Sequence, residues 1–163
     1  MSFIDTLKIE FEERTPERVS ATMSIDPRVS QPQGFLHGGA TITLLETAAS
    51  FGAAYRCNFD TEIPFGVQVN IRHKKPGVSG ILHGLATLNK ETETYGGRKQ
   101  VWDVVATDDA GNVISEGTFT TKVVSLKHFA KKQGVEVSEC VPASIDEIKA
   151  VYKCGTAENV EDK

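Results

Sequence analysis

Residues 34–50 read GFLHGGATITLLETAAS, and from Gly39 to about Tyr55 nearly every side chain is small or apolar. Ile42, Leu45, Ala49 and Gly52 or Ala53 recur at helical spacing, so this stretch predicts the one long helix of the chain. Between His37 and Arg56 the only acidic side chain is Glu46. A helix that is apolar almost all round is expected to be largely buried, and an ionised carboxylate buried without a partner is costly. Either Glu46 points to a rim or pairs with Arg56 or a lysine of another strand, or its placement serves chemistry.

Around this helix the pattern changes to period two. LKIEFEE (7–13) and ERVSATMSI (17–25) alternate apolar and polar residues, with a break at Thr15-Pro16, and so predict a hairpin of half-buried strands. Asp26-Pro27 and Gln31-Pro32-Gln33-Gly34 supply turn formers before the helix. After it, four further alternating runs cover residues 65–75, 80–94, 98–108 and 112–124. Pro76-Gly77, Gly96-Gly97 and Ala110-Gly111-Asn112 separate them, the last with Asp108-Asp109 as a hairpin turn. Two strands, a long helix and four strands joined by short turns imply an α+β fold: an antiparallel sheet wrapped around one central helix.

The domain is expected over residues 1–124, with 125–163 as a C-terminal extension. There Ser144-Ile145-Asp146-Glu147 has the side chains of a capping box opening a short helix, and the final AENVEDK is expected to be disordered.

With 163 residues, 39% hydrophobic and 25% charged, the chain suits one globular domain. A net charge of −4 argues against a large basic footprint for nucleic acid or an anionic membrane. Cys57, Cys140 and Cys154 are odd in number and widely scattered, which fits neither a disulfide framework nor a zinc site and favours a reducing compartment. The N-terminal residues do not resemble a secretory signal, and no run approaches the ~20 apolar residues of a membrane span. A cytoplasmic location is expected.

Gly38 and Gly39 stand where the helix begins, and the unpaired N–H groups of a helix N-terminus donate to an anion or a polarised carbonyl. Glu46 follows Gly38 by about two turns, with Ser50 one turn further on the same face. That arrangement suits acyl transfer from a thioester. The helix end stabilises negative charge on the carbonyl oxygen, and the carboxylate attacks the carbon or activates water. Burial would also raise the basicity of Glu46.

QPQGFLHGGATITLLETAAS (31–50) resembles the signature of the hotdog-fold acyl-CoA thioesterases, in the branch of 4-hydroxybenzoyl-CoA and 1,4-dihydroxy-2-naphthoyl-CoA thioesterases. The resemblance implies that Glu46 is nucleophile or general base and that the Gly38 N–H polarises the thioester carbonyl. It further implies that Gln31 and His37 line the thioester site and that Ser50 orients water or Glu46. It also implies pairing of subunits edge to edge as a dimer, commonly a dimer of dimers, with the active site between one subunit's helix and its neighbour.

Coenzyme A carries several phosphate charges, so a chain of negative net charge needs a local cationic patch for it. Arg72, His73, Lys74 and Lys75, just before Pro76, form one candidate, and Tyr95, Gly96, Gly97, Arg98 and Lys99 form another. For any one lysine a solvated turn charge is the plainer reading. The resemblance implies that the segments at Gly66, at His73 to Pro76 and at Thr94 to Lys99 contact the CoA portion.

His83 and His128 have no spacing for a metal, and no metal or separate cofactor is expected, CoA being part of the substrate. Trp102 reads as core. The leading expectation is an acyl-CoA thioesterase for an aromatic or medium-sized acyl group. The alternatives are a hotdog dehydratase pairing His37 with Glu46, and a non-catalytic acyl-CoA sensor.

Overall fold

The structure, a computed structural model, describes residues 3–141. A short helix α1 (Phe3–Leu7) precedes β1 (Glu10–Arg14) and β2 (Arg18–Ser24). The long helix α2 (Gly38–Tyr55) follows, then β3 (Glu62–His73), β4 (Ile81–Thr94), β5 (Gly97–Thr107), β6 (Val113–Ser125) and α3 (Leu126–Gln133). Single 3-10 turns lie at Pro27–Val29 and Val137–Cys140. The six strands form one sheet in the order β1-β2-β4-β5-β6-β3, every neighbouring pair antiparallel. This is the expected helix-in-sheet architecture. Helix α2 packs against β2 through β6, so the chain that enters it from β2 emerges at the far side and places β3 on an edge.

Two helices carried no legible signal. The five residues of α1 are too few for a periodic pattern, and α3 lies beyond Val124, where the alternation fades. Ser125 caps α3 by accepting from the His128 N–H, and Gly134 closes it in the left-handed region at φ 71. The helix expected from Ser144 lies outside the described residues.

The core joins the inward positions of the strands to one side of α2. Val19, Ala21 and Met23, Leu82 and Ala86, Trp102 and Val104, and Phe119 close around Leu44, Leu45, Ala48, Ala49 and Ala53. Trp102 is fully buried and donates its indole N–H to Thr121 Oγ1 at 3.1 Å. Thr121 donates to Gln100 Oε1 at 2.8 Å, and Gln100 donates to Glu91 Oε2 at 2.6 Å, so each buried polar group finds a partner. Gly52 makes room for the ring: a Cβ there would stand 2.4 Å from Trp102 Cη2.

That relay ends in an ion network under the C-terminus of α2. Arg56 holds Glu91 and Glu17, while Arg98 holds Glu62 and donates to the Arg56 carbonyl at 2.9 Å. The Arg56 guanidinium keeps the Glu91 carboxyl below the usual carboxylate range. Burial pushes Glu62 up, but its bonds from Arg98 and the Asn58 N–H outweigh this and hold it below that range too.

A carboxylate whose folded pKa lies below its unfolded value stabilises at pH above the unfolded value, about 4.3 for Glu, and loses that contribution as pH falls through the folded value. The melting temperature is therefore expected to be level from neutral pH to about pH 5 and to drop below about pH 4.3. Arg98→Met should lower it at neutral pH and flatten the acid drop, measured by thermal unfolding across the range.

Candidate functional site

Helix α2 starts on an N-cap made by His37, whose Nδ1 accepts the Gly39 N–H at 2.9 Å. The Ala40 and Thr41 N–H groups both go to the His37 carbonyl. Of the first-turn donors, this leaves the Gly38 N–H without a partner among the described residues. His37 is thus the residue that aims the helix end, a duty its place before two glycines does not announce.

A cavity of about 420 Å³ opens at this helix end and gathers Gln31, Gly38, His73, Lys74, Lys75 and Pro76. All six come from two sequence segments about 35 residues apart in the chain, and packing of α2 against β3 brings them together. The His73 ring is fixed from both sides. Its Nδ1 shares a hydrogen bond of 2.8 Å with Ser115 Oγ, its register partner, and its Nε2 lies 2.8 Å from where a Gly38 Cβ would stand. Ser115 escaped the sequence reading because only strand register places it opposite His73. Lys74 pairs with Glu116 at 2.6 Å, and Lys75 donates to Asn112 Oδ1 at 3.3 Å.

Glu46 stands elsewhere. Its carboxylate reaches the inner side of the edge strand, where a Cβ on Gly66 would lie 3.5 Å from Glu46 Oε1 and 2.8 Å from Phe119. Glycine at 66 is what lets strand and carboxylate approach. A second cavity, of about 310 Å³, is lined by Glu46 and Ser50 together with Phe3, Ile4, Thr47 and Phe51. The two side chains share a face, as their spacing predicts.

One expectation is overturned. Glu46 is exposed in the single chain, because the buried side of α2 is Ala40, Thr41, Leu44, Leu45, Ala48, Ala49 and the glycine-alanine run beyond, leaving Glu46 on the open side. The burial expected of it is therefore not supplied within one chain. Nor is it a structural ion pair: Arg56 is taken by Glu91 and Glu17, and Glu46 has no hydrogen bond or ion pair among the described residues.

The second CoA candidate lies at the other end of the sheet. Gly97 is level with Val124 and Ile63, and His73 with Ser115, so ten residues of β3, about 33 Å, separate the two groups. Tyr95 is exposed at the turn, Gly96 and Gly97 carry positive φ, and Thr94 Oγ1 donates to the Gly97 carbonyl at 3.1 Å. Lys99 is exposed. Arg98 spends its guanidinium on Glu62 and the Arg56 carbonyl and offers no free charge.

His83 pairs with Asp109 at 2.9 Å. Asp108 accepts from Ala110 and Asn112 to close the last hairpin, as the sequence predicts.

A family model described as "Domain of unknown function (DUF4442)" matches residues 1–123. The 1,4-dihydroxy-2-naphthoyl-CoA hydrolase of Escherichia coli K12 is 30% identical over 123 residues, 76% of this chain and 87% of that protein. The crystal structure of a mutant thioesterase PA1618 from Pseudomonas aeruginosa superposes with a TM-score of 0.70 at 30% identity, covering 76% of this chain and 86% of that one. The BH2602 protein of Bacillus halodurans, solved with CoA, gives a TM-score of 0.59 at 25% identity over 64% of this chain and 66% of its own. Six antiparallel strands around a helix whose carboxylate has no partner among the described residues, matched by thioesterases in sequence and in structure, place the chain in a known group: it belongs to the hotdog-fold thioesterases, within the DUF4442 family.

Proposed function

We propose that this chain hydrolyses acyl-CoA thioesters at a site assembled between two copies of itself, with Gly38 from one and Glu46 from the other. The observation that carries the proposal is a separation. Gly38 and Glu46 are eight residues apart on one helix, about 12 Å along its axis, and they open into different cavities. One thioester carbonyl must lie about 3 Å from both an oxyanion donor and the attacking group. A single chain does not bring them that close.

An antiparallel pairing of two β3 edges does. Among the described residues β3 pairs with β6 on one side only, and its Val67 and Val69 are exposed at 55% and 46%, an apolar edge that a monomer would leave open to aggregation. Two such edges related by a twofold axis oppose the helices head to tail. The N-terminus of one α2 then approaches the Glu46 region of the other, and the His73 end of one β3 the Phe65 end of its neighbour. The same pairing would cover Glu46, supplying from outside the burial that the single chain lacks. The resemblance of the signature extends the assembly to a dimer of dimers.

In this arrangement the Gly38 N–H donates to the thioester oxygen and stabilises the negative charge growing on it. Glu46 either attacks the carbonyl carbon, giving an anhydride that water opens, or takes the proton of a water that attacks directly. Both routes break the C–S bond, release the CoA thiol and leave a carboxylic acid. Water is the only cosubstrate, and the chemistry calls for no metal or further cofactor. Gln31 and His73 border the donor, Ser50 stands beside the carboxylate, and Phe3, Ile4 and Phe51 offer apolar walls for a medium or aromatic acyl group. Cytoplasmic operation agrees with the free Cys57, whose thiol burial pushes up to about 12 and so keeps protonated. No described helix is long and apolar enough to cross a membrane. The dehydratase and sensor readings gain no support from the named relatives.

Mixing two inactive variants tests the shared site. Gly38→Pro removes the N–H at the first helical position, where the backbone admits proline because His37 before it is already extended at φ −70, ψ 128; its Cβ would stand 2.8 Å from His73 Nε2, so the ring must shift as well, and both changes disable the donor half of the site. Glu46→Gln removes the base. When the two are refolded together, half the dimers are mixed and each mixed dimer keeps one intact site of two, so about a quarter of parental activity should return. Recovery of none would sink the shared site.

A further inference from the structure

Beyond the residues matched by the family model, α3 covers the outer face of the sheet and leaves a cavity of about 200 Å³ lined by Phe65, Lys122, Val124, His128, Phe129 and Lys132. The helix is firmly seated. It is capped at both ends, and its His128 ring rests on the β4–β5 turn, edge-on to Tyr95 at 4.9 Å and against Gly96, where a Cβ would come within 2.4 Å.

The Phe65 and Phe129 rings stand 5.3 Å apart at the cavity. Lys122 faces Lys99 directly across the β5–β6 register, and Lys131 and Lys132 end α3. Like charges set opposite each other weaken a sheet, and Lys74, on Glu116, is the one lysine held in an ion pair among the described residues. In a chain of net charge −4, cations gathered without an acid beside aromatic faces form a site for an anionic, ring-bearing ligand.

We infer that this cavity holds the nucleotide end of the acyl-CoA, with the adenine against Phe65 and Phe129 and the phosphates on Lys122, Lys132 and Lys99. The position fits. Phe65 precedes Gly66, against which the Glu46 carboxylate lies, so the cavity and the carboxylate flank the same stretch of β3 from its outer and inner faces. Lysine suits the task as a point charge for phosphate oxygens. The inference rests on the thioesterase reading and adds to it a helix that the matched family region does not contain.

The test compares an acyl-CoA with the same acyl group on N-acetylcysteamine, a thioester without nucleotide or phosphate. For Lys132→Glu, an exposed change on α3, and for Lys122→Glu/Lys132→Glu, the ratio of kcat/KM between the two substrates is expected to fall roughly tenfold, through KM, the size of one charge-assisted contact. Titration of the parent with 3′-phosphoadenosine 5′-diphosphate should show binding that the double variant loses. An unchanged ratio, or no binding to the parent, overturns the nucleotide site. A parent that hydrolyses neither thioester instead overturns the thioesterase reading, and the titration then decides the cavity by itself.

Discussion

Glu46→Gln is expected to lower acyl-CoA turnover by roughly 10²–10⁴-fold, the range for a positioned base, with affinity for the substrate within about twofold of the parent. Glutamine keeps the shape and the hydrogen-bonding reach of the side chain but can neither attack a carbonyl nor take a proton from water. Because Glu46 has no ion pair or hydrogen bond among the described residues, its replacement removes no contact that holds the single chain together. The melting temperature should therefore hold while turnover collapses. Release of free thiol from a panel of aromatic and straight-chain acyl-CoAs measures the first, and calorimetric titration with substrate measures the second. A variant that keeps turnover within tenfold of the parent would remove Glu46 from the chemistry, and with it the assignment of the edge cavity as the active site.

Trp102→Ala should be the most destabilising single change in the core, at about 3–5 kcal/mol, the usual cost of truncating a buried aromatic to alanine. The ring is fully buried against α2 at Gly52, and its loss leaves both a cavity and the Thr121 hydroxyl without its indole donor. Against a total stability of roughly 5–15 kcal/mol, that is enough to unfold part of the population at physiological temperature. Gly52→Ala in the parent should also destabilise, since its Cβ would overlap the indole, but in the Trp102→Ala background the added methyl fills vacated space. The two changes are expected to couple favourably in urea unfolding. Additive effects would mean that ring and helix do not meet as described.

Much of the fold was legible because the signals were local. Period two in the strands, period 3.6 in the helix, and glycine, proline and asparagine at the breaks each report on a few neighbouring residues. The hairpin at Asp108 to Asn112 and the buried Trp102 followed from the same patterns. The short α1 and the late α3 did not, being too brief or too polar for periodicity to single out. The site was legible in its members and not in its layout. Gln31, Gly38, Glu46 and Ser50 stand out by spacing along one helix and its approach, but that spacing implied a ligand lying along a single helix. Arg98 stood out as a cation, yet three acceptor atoms of its own chain consume it.

What the sequence determined by itself, then, is a central helix carrying one carboxylate, an exposed amide at its start, and six strands to enclose it. Only the tertiary structure decided that β3 crosses to an edge, that Arg56 turns to Glu91 and Glu17 and leaves Glu46 unpaired, and that the two cationic segments lie at opposite ends of the sheet. The physical reason is the range of the interactions. Backbone preference and side-chain periodicity act over a few residues, whereas strand pairing, ion-pair choice and the side of a helix left open depend on segments that meet only when the chain closes on itself.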